Sequence, residues 1–328
     1  MYEYSKRMIP NYQNITTIPD GHLPKDLDPY GYEDNWSNAF ERMTNLKTLP
    51  NPFYNWNGAT NISSAFSFCY NLTGNIPNIP NNVTDMYYAF YYCNNLTGNI
   101  PNIPNSVIDM GYAFNRCYNL TGSIPNIPDS VISMAGAFGR CYNLTGNIPN
   151  IPNSVTNMDG TFNRCFNLTG SIPNIPNNVT DMFSAFSFCY NLTGNIPNIP
   201  NSVTNMAGAF NRCNNLTGTI PNIPNSVTNI SYAFGYCSNL TGSIPNIPNS
   251  VTNIANAFSY CYNLKNSNVY IHGDNLDEYR IADCFRNIPA TINIYCHANT
   301  DTYNSFLNYV NRTNNVGYNG PRYLYTFE

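Results

Sequence analysis

The sequence predicts a β-solenoid, an array of 24-residue coils with short parallel strands, helical turns and capped ends. Apolar residues recur at fixed offsets around one cysteine in every coil. That cysteine occurs nine times at a constant step of 24: Cys69, Cys93, Cys117, Cys141, Cys165, Cys189, Cys213, Cys237 and Cys261. A fixed period of this length is typical of a repeat array in which each coil contacts its neighbours.

The composition narrows the class of partner. Charged residues make up 10% of the chain, against about a quarter in an average protein. Between residues 51 and 264 there are five acidic and four basic residues, so the array has almost no field that could attract a nucleic acid. The 27 Tyr, the 18 Phe and the net charge of −4 indicate an ordered chain rather than a disordered one.

No stretch is apolar enough over a sufficient length to span a membrane, so no membrane insertion is expected. The first ten residues lack the apolar core of a secretory signal. From this start we expect a protein that remains inside the cell or leaves it by lysis or another route. The expected location is then an extracellular particle such as a virion, or a cell surface.

Four segments are predicted along the chain. Atypical coils are expected at the ends of an array, where the open core must be covered. The segments are an N-terminal arm (1–33), a capping coil (34–60), the solenoid (61–264) and a C-terminal cap (265–328). With its four prolines, the arm is either an irregular cap or a segment that docks the array onto something larger. In the capping coil, Met43 replaces the cysteine.

The C-terminal cap shows ordinary strand and helix patterns. Apolar and polar residues alternate from Ala290 to Cys296, which predicts a strand. Residues 301–312 have helical spacing, with Asp301 as the expected N-cap. A loop is predicted over 314–321, followed by a last strand over 323–327.

Within a regular coil the expected elements are short. Residues 72–76 read as a parallel strand, 83–86 as a second strand or turn, and 87–92 as one or two helical turns. The Ile-Pro-Asn-Ile-Pro run over 76–80 is placed at a bend, because proline cannot donate to a ladder between coils. The predicted core positions of this coil are Leu72, Ile76, Ile79, Val83, Met86, Ala89, Phe90 and Cys93.

Residues 24 apart should stack into columns about 4.8 Å apart. An asparagine column is unbroken, which predicts a buried ladder of amides bonded to one another. Its members are Asn71, Asn95, Asn119, Asn143, Asn167, Asn191, Asn215, Asn239 and Asn263.

The cysteine column has three interpretations: reduced thiols in the core, some disulfides, or a metal site. Side chains that point the same way from neighbouring coils are poorly placed for disulfides. The cysteines lack zinc spacing. The sequence therefore favours reduced core thiols, and no cofactor or metal is expected.

Planar side chains flank the cysteine on both sides. They either stack on each other to cover the coil edge or offer an aromatic strip to a ligand such as a glycan. The candidate contact residues are Tyr92, Arg116, Tyr118, Arg140, Tyr142, Arg164 and Phe166. Catalysis is not expected, since the three histidines lie in the caps and no catalytic motif is present.

The repeated Asn-Leu-Thr-x-x-Ile-Pro and Val-Thr-x-Met-x-x-Ala-Phe-x-x-Cys runs resemble the BspA-like (Treponema-type) leucine-rich repeat and the related Mycoplasma lipoprotein-associated repeat. The resemblance covers about residues 34–312. It implies a right-handed solenoid with a parallel sheet on one face, and binding or adhesion as its role.

Three functions follow as hypotheses, none of them enzymatic. The first is a phage virion or tail protein that binds a glycan or protein on the host surface, with residues 1–33 docking to other virion proteins. The second is a bacterial or protozoan cell-surface adhesin. The third is a structural spacer.

Overall fold

A computed structural model describes residues 15–17, 35–49, 56, 58–316 and 321–327. The chain divides into two compact units, Met1–Leu168 and Thr169–Glu328. The described elements are β1 (Gly74–Asn75), β2 (Leu96–Thr97), β3 (Gly146–Asn147), β4 (Leu168–Thr169), β5 (Ser267–Tyr270), β6 (Ile292–His297), α1 (Asp301–Val316) and β7 (Arg322–Phe327).

Parallel pairing between residues 24 apart confirms the predicted solenoid. In the first unit Asp85 bridges Asn61 on one side and Asp109 on the other, and in the second Asn229 bridges Asn205 and Asn253 in the same way. The strand expected over 72–76 is only two residues long, β1, which pairs parallel to β2. It is short because the proline after Ile76 ends the run of backbone donors.

The prediction of helical turns over 87–92 is wrong. Tyr88 and Tyr92 have φ angles of 57° and 61°, which a right-handed helix does not allow. The segment consists of three consecutive turns, each closed by a bond from an N–H to the carbonyl three residues earlier. In the coil before it these bonds are Ala65 to Ile62 (3.0 Å), Ser67 to Ser64 (3.1 Å) and Cys69 to Phe66 (3.1 Å).

The remaining N–H groups of the turns join one coil to the next. Every second residue points its N–H along the array rather than into its own turn. The bonds from the same coil are Ser64 to Tyr87 (2.7 Å), Phe66 to Ala89 (2.8 Å) and Phe68 to Tyr91 (2.7 Å). Backbone donors inside and between coils are thereby satisfied in alternation.

The core of each unit is a stack of phenylalanines. In the first unit, the rings of Phe66, Phe90 and Phe114 follow one another at 5.4 and 5.8 Å and lie within 5° of parallel. In the second unit, Phe210 and Phe234 stack at 5.8 Å. Leu72, Ile76, Ile79, Val83, Met86, Ala89, Phe90 and Cys93 are all at most 6% exposed. The predicted core is confirmed.

The C-terminal cap is a three-stranded parallel sheet with one helix. Its strand order is β5-β6-β7, and α1 connects β6 to β7. Thr300, rather than Asp301, is the N-cap of α1, because its Oγ1 accepts the N–H of Tyr303 at 3.1 Å. The helix also runs to Val316, so it includes the start of the predicted loop.

The cap closes the phenylalanine stack of the second unit. Phe285 stacks on Phe306 of α1 at 6.3 Å and meets Tyr309 edge-on at 6.4 Å. Arg322 at the start of β7 is 2% exposed. Its guanidinium donates to four backbone carbonyls, those of Phe285, Ile288, Ala290 and Pro321.

The four predicted segments remain predictions. Of the arm over 1–33, only residues 15–17 are among those described, and there Thr17 forms a parallel bridge with Thr48. Residues 50–55 and 57, part of the predicted capping coil, also lie outside the described residues.

Candidate recognition surface

The residue before each of the nine regularly spaced cysteines, and before Met43 in the first coil, has a left-handed backbone. We call these residues of the first unit the planar column, since each side chain ends in a flat group. Their φ angles are 62° (Arg42), 62° (Phe68), 61° (Tyr92), 65° (Arg116), 61° (Arg140) and 62° (Arg164). Bulky side chains rarely adopt this conformation, which glycine accepts without strain.

Members of the planar column stack on one another. Phe68 and Tyr92 lie at 5.4 Å with 20° between their planes. The guanidinium of Arg116 sits 4.3 Å from the centre of the Tyr92 ring, and that of Arg42 lies 5.1 Å from Phe68. Arg42 was missed at the sequence level, although its position before Met43, the cysteine substitute, could have indicated it.

Three consecutive coils of the planar column carry arginine. Arg116, Arg140 and Arg164 form what we call the arginine row. Their spacing is fixed by coil-to-coil bonds, for example from the N–H of Arg140 to the carbonyl of Asn163 at 2.6 Å. Within the described residues, the guanidinium of Arg140 makes no salt bridge and no hydrogen bond.

The residues after the cysteine form a tyrosine ladder in the first unit. Tyr118 and Tyr142 stack at 4.8 Å and 3°, and Tyr142 and Phe166 stack at 4.9 Å and 9°. Both faces of Tyr142 are therefore covered. The ladder matches the self-stacking interpretation, so its inner member can offer a ligand its ring edge and hydroxyl group but not a ring face.

The asparagine column makes a different ladder from the one expected. The described bonds go from Nδ2 to backbone carbonyls of the preceding coil, and the side chains are exposed. They are Asn71 to Thr44 (2.7 Å), Asn95 to Tyr70 (2.8 Å), Asn119 to Asn94 (3.0 Å), Asn143 to Tyr118 (3.1 Å) and Asn167 to Tyr142 (3.0 Å). The prediction of a buried column is wrong, because all nine asparagines are exposed, and these five amides bond to backbone carbonyls instead of to each other. They still link adjacent coils.

The cysteines are free thiols in the core, as the sequence favoured. The Sγ of Cys141, for example, donates to the carbonyl of Phe114 at 3.0 Å. Burial raises the pKa of Cys69 to about 12 and that of Cys141 well above its ordinary value. Thiolates are the reactive species, so burial keeps these thiols in their less reactive, protonated form.

These repeats match a known family. The family model described as BspA type leucine-rich repeat region matches in six copies over residues 36–135, 87–217 and 184–314. The chain belongs to the BspA-type leucine-rich repeat family. This is a family of surface and adhesion-type proteins, and leucine-rich repeat proteins are generally non-catalytic scaffolds that bind proteins or other ligands. No curated protein and no solved structure matches the chain.

One BspA-type coil of the first unit is unusually rich in tyrosine, and its rings form an aromatic cluster with their neighbours. The cluster consists of Phe68, Tyr70, Tyr87, Tyr88, Tyr91, Tyr92 and Tyr112. Burial raises the pKa of Tyr91. Of these residues only Tyr92 was a candidate from the sequence, although four tyrosines in six residues, 87–92, was an available signal.

Glycines in the next coils make room for this cluster. A Cβ on Gly111 would come within 3.0 Å of the Tyr87 ring, and one on Gly136 would overlap the ring of Tyr112. Gly136 also has a φ of 59°. The cluster therefore depends on which residues the following BspA-type coils carry.

The described residues hold no group of three or more His, Cys, Asp or Glu arranged to bind a metal ion. His297 lies in the cap, 2.7 Å from Asp274. Among the described helices, none combines the length and hydrophobicity needed to cross a membrane.

Proposed function

We propose that the chain is a cell-surface adhesin that recognises a glycan or protein on another cell through the planar column and tyrosine ladder of its first unit. The family match favours this function over the virion hypothesis, for which the family and the described residues offer no support. A docking role for residues 1–33 remains a prediction.

The observation that carries the proposal is the backbone strain in the planar column. A large side chain at a φ near 60° costs about 1 kcal/mol relative to glycine. Glycine does occur at the other left-handed position of these coils, in Gly136 and Gly160. The presence of planar side chains at a position that favours glycine supports a role for those side chains in binding at the surface.

The surface also has the right chemistry for recognition. Phenol hydroxyls and guanidinium groups are hydrogen-bond donors, and here they are held at one-coil spacing on turns that backbone bonds join from coil to coil. Rigid planar groups lose little conformational entropy on binding, which is why Tyr and Arg are common at interfaces.

The first test compares Arg140→Gly with Arg140→Ala. Glycine relieves the positive φ of 61°, so Arg140→Gly should raise the free energy of unfolding by about 0.5–1 kcal/mol, measured by urea denaturation. Alanine keeps the strain and should give no such gain.

Both variants, and Tyr142→Ala, should reduce adhesion of the purified protein to target cells. A panel of bacterial and animal cells would first identify the cell type that is bound. If Arg140→Gly is more stable and both it and Tyr142→Ala adhere as well as the parent protein, this face is not the binding surface.

Self-stacking supports a second candidate, a structural spacer. The covered faces of Tyr142 show that the ladder packs without any ligand. A spacer predicts that Tyr142→Ala lowers the free energy of unfolding and that the parent protein binds no cell in the panel.

A further inference from the structure

We propose that the arginine row of the first unit (Arg116, Arg140, Arg164) binds an acidic polysaccharide, a sugar polymer that carries carboxylate or sulfate groups. The inference rests on the proposed function and specifies the class of its ligand.

The first argument is the concentration of charge. Between residues 51 and 264 the chain has four basic residues, and three of them occupy the same position in consecutive coils. Adjacent coils lie about 4.8 Å apart, so neighbouring guanidinium groups repel each other. Within residues 51–264 no other three consecutive coils carry a basic residue at the same position.

The second argument comes from the arginine of the second unit that occupies the same position. Arg212 lies between two rings, 5.3 Å from Phe188 and 4.2 Å from Tyr236, and cation–π contact offsets its charge. In the column order, Arg140 instead has an arginine on each side. Its guanidinium makes no salt bridge or hydrogen bond with the described residues.

An anionic group at the middle of this row would supply the salt bridge and hydrogen bonds that the Arg140 guanidinium does not make with the described residues. Carboxylate and sulfate oxygens accept paired hydrogen bonds from a guanidinium and neutralise the repulsion along the row. A polymer suits the row better than a single ion, because the cationic groups themselves repeat at coil spacing.

The neighbouring side chains favour a sugar polymer over an acidic peptide. The tyrosine ladder (Tyr118, Tyr142, Phe166) lies two residues from the arginine row in each coil. Beside it the exposed Asn119, Asn143 and Asn167 are fixed by their bonds to the preceding coil. Such amides and phenol groups match the hydroxyl groups of sugars as donors and acceptors.

The test measures binding of the full chain to four immobilised polymers: polygalacturonate, dextran sulfate, neutral dextran and poly-glutamate. The parent protein should bind the two acidic polysaccharides in preference to the other two, and binding should weaken as salt is raised. Polygalacturonate and dextran sulfate separate a carboxylate ligand from a sulfate ligand, and binding of either supports the proposal.

The variant is the triple change Arg116→Gln, Arg140→Gln, Arg164→Gln, with thermal unfolding to confirm the fold. Affinity for the acidic polysaccharides should fall by about tenfold or more. Arg212→Gln is the matched control, which should bind as the parent does. If the triple variant does not fold, Arg140→Gln alone should still weaken binding.

Three results would overturn the inference: full binding by the folded triple variant, equal binding of poly-glutamate, or equal binding of neutral dextran. Failure of the proposed function looks different. If the triple variant keeps the cell adhesion that Tyr142→Ala abolishes, the acidic ligand is wrong and the adhesin survives. If neither change affects adhesion, both are wrong.

Discussion

At the scale of residues, the side chain at the parallel bridge fixes the start of the turns in most coils. At the parallel bridge, an Asp or Asn oxygen accepts the N–H two residues later, as in Asp85 to Tyr87 (2.9 Å) and Asp109 to Gly111 (2.8 Å). Asn157 and Asn205 do the same with amide oxygens. The turn needs the oxygen but not the charge.

The charge affects stability where the carboxylates of Asp85 and Asp109 lie one coil apart. Burial raises the pKa of Asp109, the bond from the Gly111 N–H lowers it, and the nearby charge of Asp85 raises it further. The net shift is upward, so the folded state holds the proton more tightly than the unfolded state. Stability therefore falls as pH rises from about 4 through the folded pKa.

Asp109→Asn should remove this loss while keeping the acceptor oxygen. At pH 7 the variant should be more stable by up to about 1 kcal/mol, since Asp109 is partly exposed and solvent screens its charge. At pH 3.5 the two proteins should differ little. Urea denaturation at both pH values measures the difference.

Asp181→Asn is the matched control, because the next coil carries Asn205 rather than an acid. It should give a smaller gain at pH 7. An equal gain from Asp109→Asn at both pH values would show that repulsion and burial of the charge are not the cause.

At the scale of elements, two neighbouring residues stabilise the start of α1 in different ways, one by capping the helix and one by its charge. Thr300 Oγ1 accepts the N–H of Tyr303 and donates to the carbonyl of His297 at 2.9 Å. Asp301 is the acidic residue of the first turn. A hydroxyl cap is worth about 1 kcal/mol, whereas a first-turn charge is worth a few tenths.

Thr300→Ala should therefore lower the free energy of unfolding by about 1 kcal/mol, and Asp301→Asn by less than half of that. Chemical denaturation of the two variants side by side tests the order. If Asp301→Asn is the more damaging change, the capping role belongs to Asp301 after all.

At the scale of the molecule, each coil contributes the same set of contacts to its neighbours. Deletion of one whole coil of the first unit, residues 118–141, joins Cys117 to Tyr142 and keeps every column in register. We expect a folded protein whose urea m-value is reduced, since less surface is exposed on unfolding.

Deletion of half a coil, residues 118–129, is the control. It removes fewer residues but shifts all later columns, so it should abolish folding of the first unit. If the whole-coil variant fails to fold while the half-coil variant folds, the columns do not govern the structure.

The period of 24 was sufficient to predict the solenoid, the core positions and the free thiols, because buried residues must recur when coils stack. Local patterns outside the repeat predicted strands that match β6 and β7, whereas β5 was not predicted. The turns over 87–92 were not predictable in the same way. Positive φ at Tyr88 and Tyr92 contradicts the local preference of tyrosine, and only the bonds between coils impose it.

The candidate surface was predicted in part. Spacing brought Tyr118, Tyr142 and Phe166 together correctly, but it could not show that their faces are mutually covered. Arg42 was missed because the first step is 26 residues rather than 24. The asparagine bonds were misassigned because a sequence lists amides but not the carbonyls that compete for them.

The alternation of N–H groups in the turns separates what holds the coil from what it displays. The bonds within the turns and the bonds between coils both join main-chain atoms. The residue before each cysteine can therefore change from Phe to Tyr to Arg with no change in the backbone. Diversification of this one position would let a lineage acquire new specificities by point mutation while inheriting an unaltered frame.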